Sequence, residues 1–281
     1  MIQTMTVCGA GTMGRGIAQL AAQSGLSITL FDVDSRVLGD AAGAIRNSLE
    51  SAVRKNKSSG MDLPAVWDRI RFSSDIGDCR GDLILEAINE DLSCKIDLFR
   101  QLAANSSAET VFASNTSSLS LNGLAAAFDH PDRFIGMHFF NPAIQMKLVE
   151  VTRSVHTSEA VIQKILDLAA RMGKTAVLCR DSPGFIVNRV ARPFYLEALR
   201  LMEQGLEPEL IDRLMEASGF RMGPFRLMDL IGNDVNWAVS RSLYEALGRP
   251  ARLEPSKLQE AKVKEGRLGK KTGSGFYSYP S

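Results

Sequence analysis

Cysteine is scarce in this chain and poorly placed for either of its structural uses: Cys8, Cys79, Cys94 and Cys179 are scattered, with no C-x-x-C pair and no histidine at zinc-ligand spacing. That pattern argues against a disulfide framework and a metal site; reduced thiols in a reducing, cytoplasmic compartment are expected, with no metal. Net charge is almost absent as well, 33 Lys and Arg against 32 Asp and Glu, so there is no global field to hold nucleic acid or an anionic membrane surface. The longest apolar stretches, such as Leu148, Val149 and Val151 with Glu150 among them, are strand-sized, far below the roughly 20 residues that cross a bilayer. A charged, apolar and small-residue export signal is also missing, because the chain opens directly on a strand-like segment. The expectation is a soluble protein with neither nucleic acid nor membrane as a partner.

What is present is core material and alternation. With 281 residues and 45% hydrophobic content, two domains are expected at about 100 to 200 residues each. Thr4 to Val7 are β-formers ending at Cys8 and Gly9, small and apolar residues recur at helical spacing from Met13 to Ser24, and Ser27 to Phe31 is a second buried strand ending at Asp32. Residues 1–32 therefore read as one βαβ unit. The pattern continues with a helix from about Ser35 to Lys57, a strand Asp82 to Leu85, a helix Leu92 to Ala104 and a strand Val111 to Ala113. Further strands, Arg133 to Met137, Lys147 to Thr152 and Thr175 to Leu178, extend the sheet, with a helix from Ser158 to Arg171. This predicts an α/β class: a Rossmann-like, doubly wound, mostly parallel sheet in residues 1–182.

Beyond Ser182 the strands stop. Ser182, Pro183 and Gly184 look like an N-cap and first-turn proline, and helices are predicted over Phe185 to Gln204, Pro208 to Ala217, Pro224 to Leu230, Val235 to Leu247 and Pro255 to Glu265. Residues 183–281 thus read as an all-helical C-terminal domain for substrate and dimerisation, ending in a Gly- and Lys-rich loop with a short extended end. Val187, Val190, Phe194, Leu196 and Leu199 make the first helix apolar on more than one side. The surplus apolar surface either packs on the first domain or, the reading preferred, forms a homodimer through the helical domain.

Gly9, Gly11 and Gly14 form G-A-G-T-M-G, with Thr12 and Met13 inside it, at the first strand-to-helix turn. Missing side chains there permit a tight turn and close backbone approach to a pyrophosphate, which then meets the unpaired N–H groups of the helix N-terminus. Asp32 ends the second strand 18 residues after Gly14, near the spacing of a ribose-binding acid. A carboxylate accepts from both ribose hydroxyls and repels a 2′-phosphate, so NAD is expected rather than NADP. Arg36, on the following helix, is expected to face solvent.

His138 ends the run Phe134, Ile135, Gly136, Met137, and Glu150 interrupts Leu148, Val149 and Val151. A carboxylate among buried neighbours costs several kcal/mol unless paired. If the turn from Asn141 to Met146 folds one strand beside the other, the two become neighbours, and a histidine backed by a carboxylate is a general base. A core histidine satisfied by a backbone carbonyl is the competing reading. Ser114 to Ser118 should open at the carboxyl edge of the sheet, where ligands bind; their hydroxyls could hold a substrate oxygen, or Ser118 or Ser120 could cap the next short helix. His130 and His156 sit in loops and suggest no chemistry.

Together these residues identify a resemblance. V-C-G-A-G-T-M-G-R-G-I-A-Q at the start, E-A-I-N-E-D near Glu90, F-A-S-N-T-S-S-L, G-M-H-F-F-N-P, M-K-L-V-E-V, D-S-P-G-F-I-V-N-R, M-G-P-F-R-L-M-D-L-I-G and the terminal G-K-K-T-G-S-G-F-Y make the chain similar, end to end, to the NAD-dependent L-3-hydroxyacyl-CoA dehydrogenases of the 3-hydroxybutyryl-CoA type. The resemblance implies an acyl-CoA substrate, His138 as catalytic base, Glu150 as its partner, and Ser117 and Asn188 as holders of the 3-oxygen with Asn141 nearby. It implies cofactor contacts at Asp32, Glu90, Lys95 and Asn115, the last three on loops at the carboxyl edge of the sheet. On the residues alone, Lys95 reads equally as a solvated helix residue. Lys55, in the basic cluster Arg54, Lys55 and Lys57, is the position implied for the CoA phosphates; a solvated charged face is the alternative.

Gln145 and Gly232-Asn233-Asp234 depart from the family pattern and bear on acyl-chain selectivity. Whether the acyl chain ends in a second carboxylate, as in 3-hydroxyadipyl-CoA, stays open, with Arg221 and Arg226 as candidates. Competing functions are a free β-hydroxyacid dehydrogenase, for which the helix after Ser182 offers Asn188 and Arg189 in place of a catalytic lysine, a gulonate-type sugar-acid dehydrogenase, and a non-catalytic NAD-binding protein.

Overall fold

The structure, a computed structural model, describes residues 1–54 and 62–279. The chain divides into two compact units, Met1–Ser182 and Pro183–Ser281.

The first unit contains, in order, β1 (Thr4–Cys8), α1 (Thr12–Gln23), β2 (Ser27–Phe31), α2 (Ser35–Arg54), α3 (Leu63–Trp67), β3 (Ile70–Ser73), β4 (Leu83–Glu86), α4 (Leu92–Ala104), β5 (Val111–Ser114), α5 (Leu121–Ala126), β6 (Phe134–Phe139), β7 (Leu148–Arg153), α6 (Glu159–Arg171) and β8 (Thr175–Arg180). The strands form one sheet in the order β3-β2-β1-β4-β5-β6-β7-β8. All neighbours are parallel except β6 and β7. The predicted doubly wound sheet is present, and β1 is its switch point: the chain winds outward to β2 and β3, then restarts at β4 on the other side. In such sheets, ligands bind outside the carboxyl ends at that point.

Val7, Leu30, Leu83 and Leu85 are wholly buried and pack with Ile17, Ala21, Ile45 and Leu49 of the helices. Two elements escaped the sequence reading, α3 and β3. Ile70–Ser73 (I-R-F-S) carries an arginine in a four-residue strand, too short for a two-residue period to register, while α3 rests on Asp62, which accepts from the Ala65 N–H at 3.1 Å. Several strands run one or two residues past their apolar stretch, taking in Glu86, Ser114 and His138. Polar residues that read as loop edges are thereby held on rigid backbone at the carboxyl edge.

The second unit is all-helical: α7 (Val187–Glu203), α8 (Pro208–Ala217), α9 (Pro224–Ile231), α10 (Asn233–Ala246) and α11 (Lys257–Lys264). Leu196, Leu199, Ile211, Phe225 and Met228 form its core. The expected start of its first helix is corrected. Gly184 and Phe185 take positive φ values, 74° and 48°, so the chain turns there, and α7 begins at Val187 behind Ile186 with no side-chain cap. The glycine-rich tail is anchored by a buried acid: Asp229 accepts the Phe276 and Tyr277 N–H groups, both at 2.9 Å, and the Tyr279 hydroxyl at 3.1 Å. Among the described residues no helix is long and apolar enough to cross a membrane.

Candidate active site

The glycine turn forms as its spacing requires. Gly9 has φ 102°, and a Cβ there would lie 2.6 Å from the Ala87 carbonyl oxygen; a Cβ on Gly14 would lie 1.7 Å from the Gly9 oxygen. These two glycines let β1, β4 and α1 close on one another. Gly11 differs, since nothing lies within 4 Å of its would-be Cβ. It faces a cleft of about 1210 Å3 lined by Gly9, Gly11, Thr12, Met13 and Asp32. Asp32 is fixed in that cleft by two backbone donors, Ala10 N–H at 2.8 Å and Asp34 N–H at 3.1 Å. Val33, Val37 and Ile76 give the wall an apolar part. A bare turn at a helix N-terminus, an oriented carboxylate and an apolar wall fit a dinucleotide's pyrophosphate, ribose and base. Arg36 pairs with Asp34 at 2.9 Å and its side chain is 89% exposed.

Glu90 and Lys95 build a network with Glu86 beside the cleft, and Asn115 lies next to it. Lys95 is not on a loop, and it is not solvated: it lies in the first turn of α4, 1% exposed, with Nζ 2.6 Å from Glu86 Oε1 and 3.0 Å from Glu90 Oε2. Asp91 caps that helix by accepting from the Cys94 N–H at 2.9 Å, so the cap sets the turn from which Lys95 reaches inward. Glu86 is fully buried and also accepts the Ser114 hydroxyl at 2.6 Å. Burial pushes its carboxyl above the ordinary range, with Lys95 and Ser114 acting against that rise. For Glu90, burial also acts upward, but Lys95 and the Thr116 hydroxyl outweigh it and hold the carboxyl below its usual range.

Glu90 Oε1 gathers the loop after β5: the Thr116 hydroxyl at 2.6 Å, the Ser117 N–H at 2.8 Å, and the Ser117 and Ser118 hydroxyls at 3.3 and 3.2 Å. Ser118 therefore belongs to this network, while Ser120 is the cap of α5, accepting from Gly123 N–H at 3.2 Å. The Asn115 side chain ties β5 to β6, its oxygen accepting from Phe139 N–H at 2.9 Å. Sequence reasoning missed Glu86. The signal that singled out Glu150, a carboxylate in an apolar strand, was equally available in L-I-L-E.

His138 and Glu150 meet. The antiparallel register of β6 and β7 pairs them directly, and His138 Nδ1 lies 2.7 Å from Glu150 Oε2. Both are buried, at 7% and 1% exposure, and the imidazole packs against Phe140 with ring centroids 4.6 Å apart. An ionised Glu150 places the proton on Nδ1, leaving Nε2 as the basic atom. Asn141 is exposed on the connection between these strands. Asn188 lies in the first turn of α7, half-buried. Lys55 falls outside the described residues. Among those residues there is no cluster of His, Cys, Asp or Glu able to hold a metal.

Comparisons with known proteins give this geometry its context. The family model described as 3-hydroxyacyl-CoA dehydrogenase, NAD binding domain, matches residues 4–182, and the C-terminal domain of the same family matches residues 184–279. The chain is 43% identical over 281 residues to the 3-hydroxyadipyl-CoA dehydrogenase of Escherichia coli, covering 99% of this chain and 59% of that protein. It is 42% identical over 279 residues to a probable 3-hydroxybutyryl-CoA dehydrogenase of Deinococcus radiodurans, covering 97% of this chain and 99% of the relative. The crystal structure of (S)-3-hydroxybutyryl-CoA dehydrogenase from Ralstonia eutropha superposes with a TM-score of 0.95, at 36% identity and over 100% of both chains. The chain thus spans about three-fifths of the E. coli relative's length and nearly all of the other two. With a glycine turn and fixed Asp32 suited to NAD, and both domain models matched in order, the chain belongs to the 3-hydroxyacyl-CoA dehydrogenase family of NAD-dependent oxidoreductases.

Proposed function

We propose that this enzyme interconverts (S)-3-hydroxyacyl-CoA and 3-oxoacyl-CoA on short acyl chains. The observation that carries the reading is the buried His138–Glu150 pair, 2.7 Å apart, on the same sheet as the NAD-binding turn. NAD, when bound, supplies the hydride acceptor. His138 removes the 3-hydroxyl proton through Nε2, and Glu150 holds the tautomer and stabilises the imidazolium that results. In the reducing direction the same imidazolium returns the proton to the 3-oxygen.

Ser117 and Asn188 orient the 3-oxygen, with Asn141 nearby. Their contribution is positional, and small misplacement costs on the order of 10²-fold. The Glu86–Lys95–Glu90 network supports this role for Ser117, because Glu90 fixes the serine by both its N–H and its hydroxyl. Glu90, Lys95 and Asn115 contact the cofactor, and Lys55 meets the CoA phosphates. Free-acid, sugar-acid and non-catalytic readings lack support, since the family match spans both domains.

The homodimer belongs to this proposal. Leu210 and Leu214, one turn apart on α8, are 47% and 54% exposed, and Phe220, its ring tilted against that of Phe194, is 50% exposed. An apolar face of that kind suits a second copy of the chain, whereas Leu196 and Leu199 are absorbed by the unit's own core. A cytoplasmic, reducing location accords with the four free cysteines.

The direct test is NADH oxidation with acetoacetyl-CoA, by the purified protein and by His138→Gln. Turnover is expected in the first and about 10²- to 10⁴-fold less in the second. Absence of turnover, with NAD still binding, would return the protein to a non-catalytic role.

A further inference from the structure

Arg192 is a buried cation without an anion. It lies on α7 one turn beyond Asn188 and is 4% exposed. Its Nε donates to the Asn188 carbonyl at 3.2 Å, and Nη1 donates to the Asn236 carbonyl and the Ser240 hydroxyl, both at 3.0 Å. The Tyr195 ring centroid is 4.8 Å from the guanidinium carbon. Every one of these partners is neutral, and among the described residues no carboxylate pairs with it. Burial lowers its pKa to about 10, so it remains charged at neutral pH. Bridging α7 to α10 needs only a neutral donor, and a lone buried charge is a costly way to supply one.

Arg221 and Arg226, the arginines that stand out in the sequence, do not share this condition. Arg226 pairs with Glu216 at 3.1 Å and lies over the Tyr277 ring at 5.6 Å, and Arg221 is exposed.

We propose that Arg192 is a specificity-determining residue that receives the terminal carboxylate of a dicarboxylic acyl-CoA, one with two methylenes between the 3-carbon and that carboxylate. The inference rests on the reading above that Asn188 holds the 3-oxygen. Residues four apart on a helix have Cβ atoms about 5 to 6 Å apart. The Arg192 side chain runs back toward the helix N-terminus, as its bond to the Asn188 carbonyl requires. A carboxyl carbon three bonds beyond C3 is roughly 4 Å from it, with C–C bonds of about 1.5 Å. An acyl chain lying along α7 with its 3-oxygen at Asn188 therefore presents its end group to the guanidinium. A four-carbon acyl chain stops short of the charge, and a neutral six-carbon chain places a methyl group where an anion is needed.

The experiment compares 3-oxoadipyl-CoA with 3-oxohexanoyl-CoA, equal in carbon number and differing only in carboxylate against methyl, by kcat/KM in NADH oxidation. The protein should prefer the dicarboxylic substrate by about 10- to 100-fold, the range of one charge-assisted contact. In Arg192→Met that ratio should collapse toward one, while Arg192→Lys, which keeps the charge but not the fork, should retain part of it. A wild-type ratio near one, or a ratio preserved in Arg192→Met, overturns the proposal. If Arg192→Met does not fold, the wild-type ratio decides by itself. Acetoacetyl-CoA separates the two levels of inference: turnover of it with no preference for the carboxylate defeats only the role of Arg192, and failure on all three thioesters defeats the dehydrogenase reading.

Discussion

Replacing Glu150 by Gln tests the chemistry most directly, because the change is isosteric and removes a single charge. In the native protein the carboxylate lies 2.7 Å from Nδ1 of His138, with both side chains nearly inaccessible to solvent. When the imidazole takes a proton, two opposite charges form at about 4 Å between centres, worth about 4 kcal/mol at an effective dielectric constant of about 20. The Gln amide oxygen still accepts from Nδ1–H, so part of that stabilisation and the tautomer survive. A net loss of about 3 to 4 kcal/mol from the transition state, at 1.36 kcal/mol per decade, corresponds to a kcat lower by about 10²- to 10³-fold. Glu150 lies outside the nucleotide cleft, so NAD affinity should be nearly unaffected. Steady-state NADH oxidation with acetoacetyl-CoA gives kcat, and fluorescence titration of NADH gives the binding constant. A variant with kcat within threefold of the native value would refute the assignment of Glu150 as the partner that makes His138 a base.

Two further outcomes follow from the same structure. Gly14→Ala drives a methyl group to 1.7 Å from the Gly9 oxygen, so its melting temperature should fall sharply and NAD binding should be lost. Gly11→Ala meets no protein atom within 4 Å, so it should melt like the native protein yet bind NAD at least about tenfold more weakly, because the methyl occupies the space of the pyrophosphate; equal behaviour of the two variants would contradict the geometry of the turn. Glu90 predicts a pH dependence. Its carboxyl is held below the ordinary carboxylate range in the folded protein, so its stabilising contribution is complete above that range and fades as pH falls through the lowered folded value. In urea titrations Glu90→Gln should therefore be more destabilised relative to the native protein at pH 7 than at pH 4, and an equal difference at both would show that its charge contributes nothing.

Much of the first unit could be read without coordinates. The strand, glycine turn, helix and second strand of residues 1–32 are specified by neighbours a few positions apart: β2 was expected at Ser27 to Phe31 and lies there, and α4 was expected at Leu92 to Ala104 and lies there. His138 and Glu150 were conspicuous for a local reason too, as polar groups in apolar strands. The sequence also offered, only as a conditional, that they touch. That contact is made by the antiparallel register of β6 on β7, a pairing across twelve positions that no local pattern encodes.

Other features were decided by tertiary structure alone. Lys95 reads on pattern equally as a solvated helix residue, and nothing in the pattern singles out Arg192, yet both are buried, one between Glu86 and Glu90 and the other among neutral groups. The start of α7 depends on a turn at Gly184 and Phe185 that the Ser-Pro-Gly motif disguised as a cap. The division has a physical cause. Periodicity and turn chemistry are properties of a few adjacent residues and survive in the unfolded chain as preferences, whereas whether a charge is expensive or useful depends on the dielectric and partners around it, and those exist only once segments far apart in sequence have packed together.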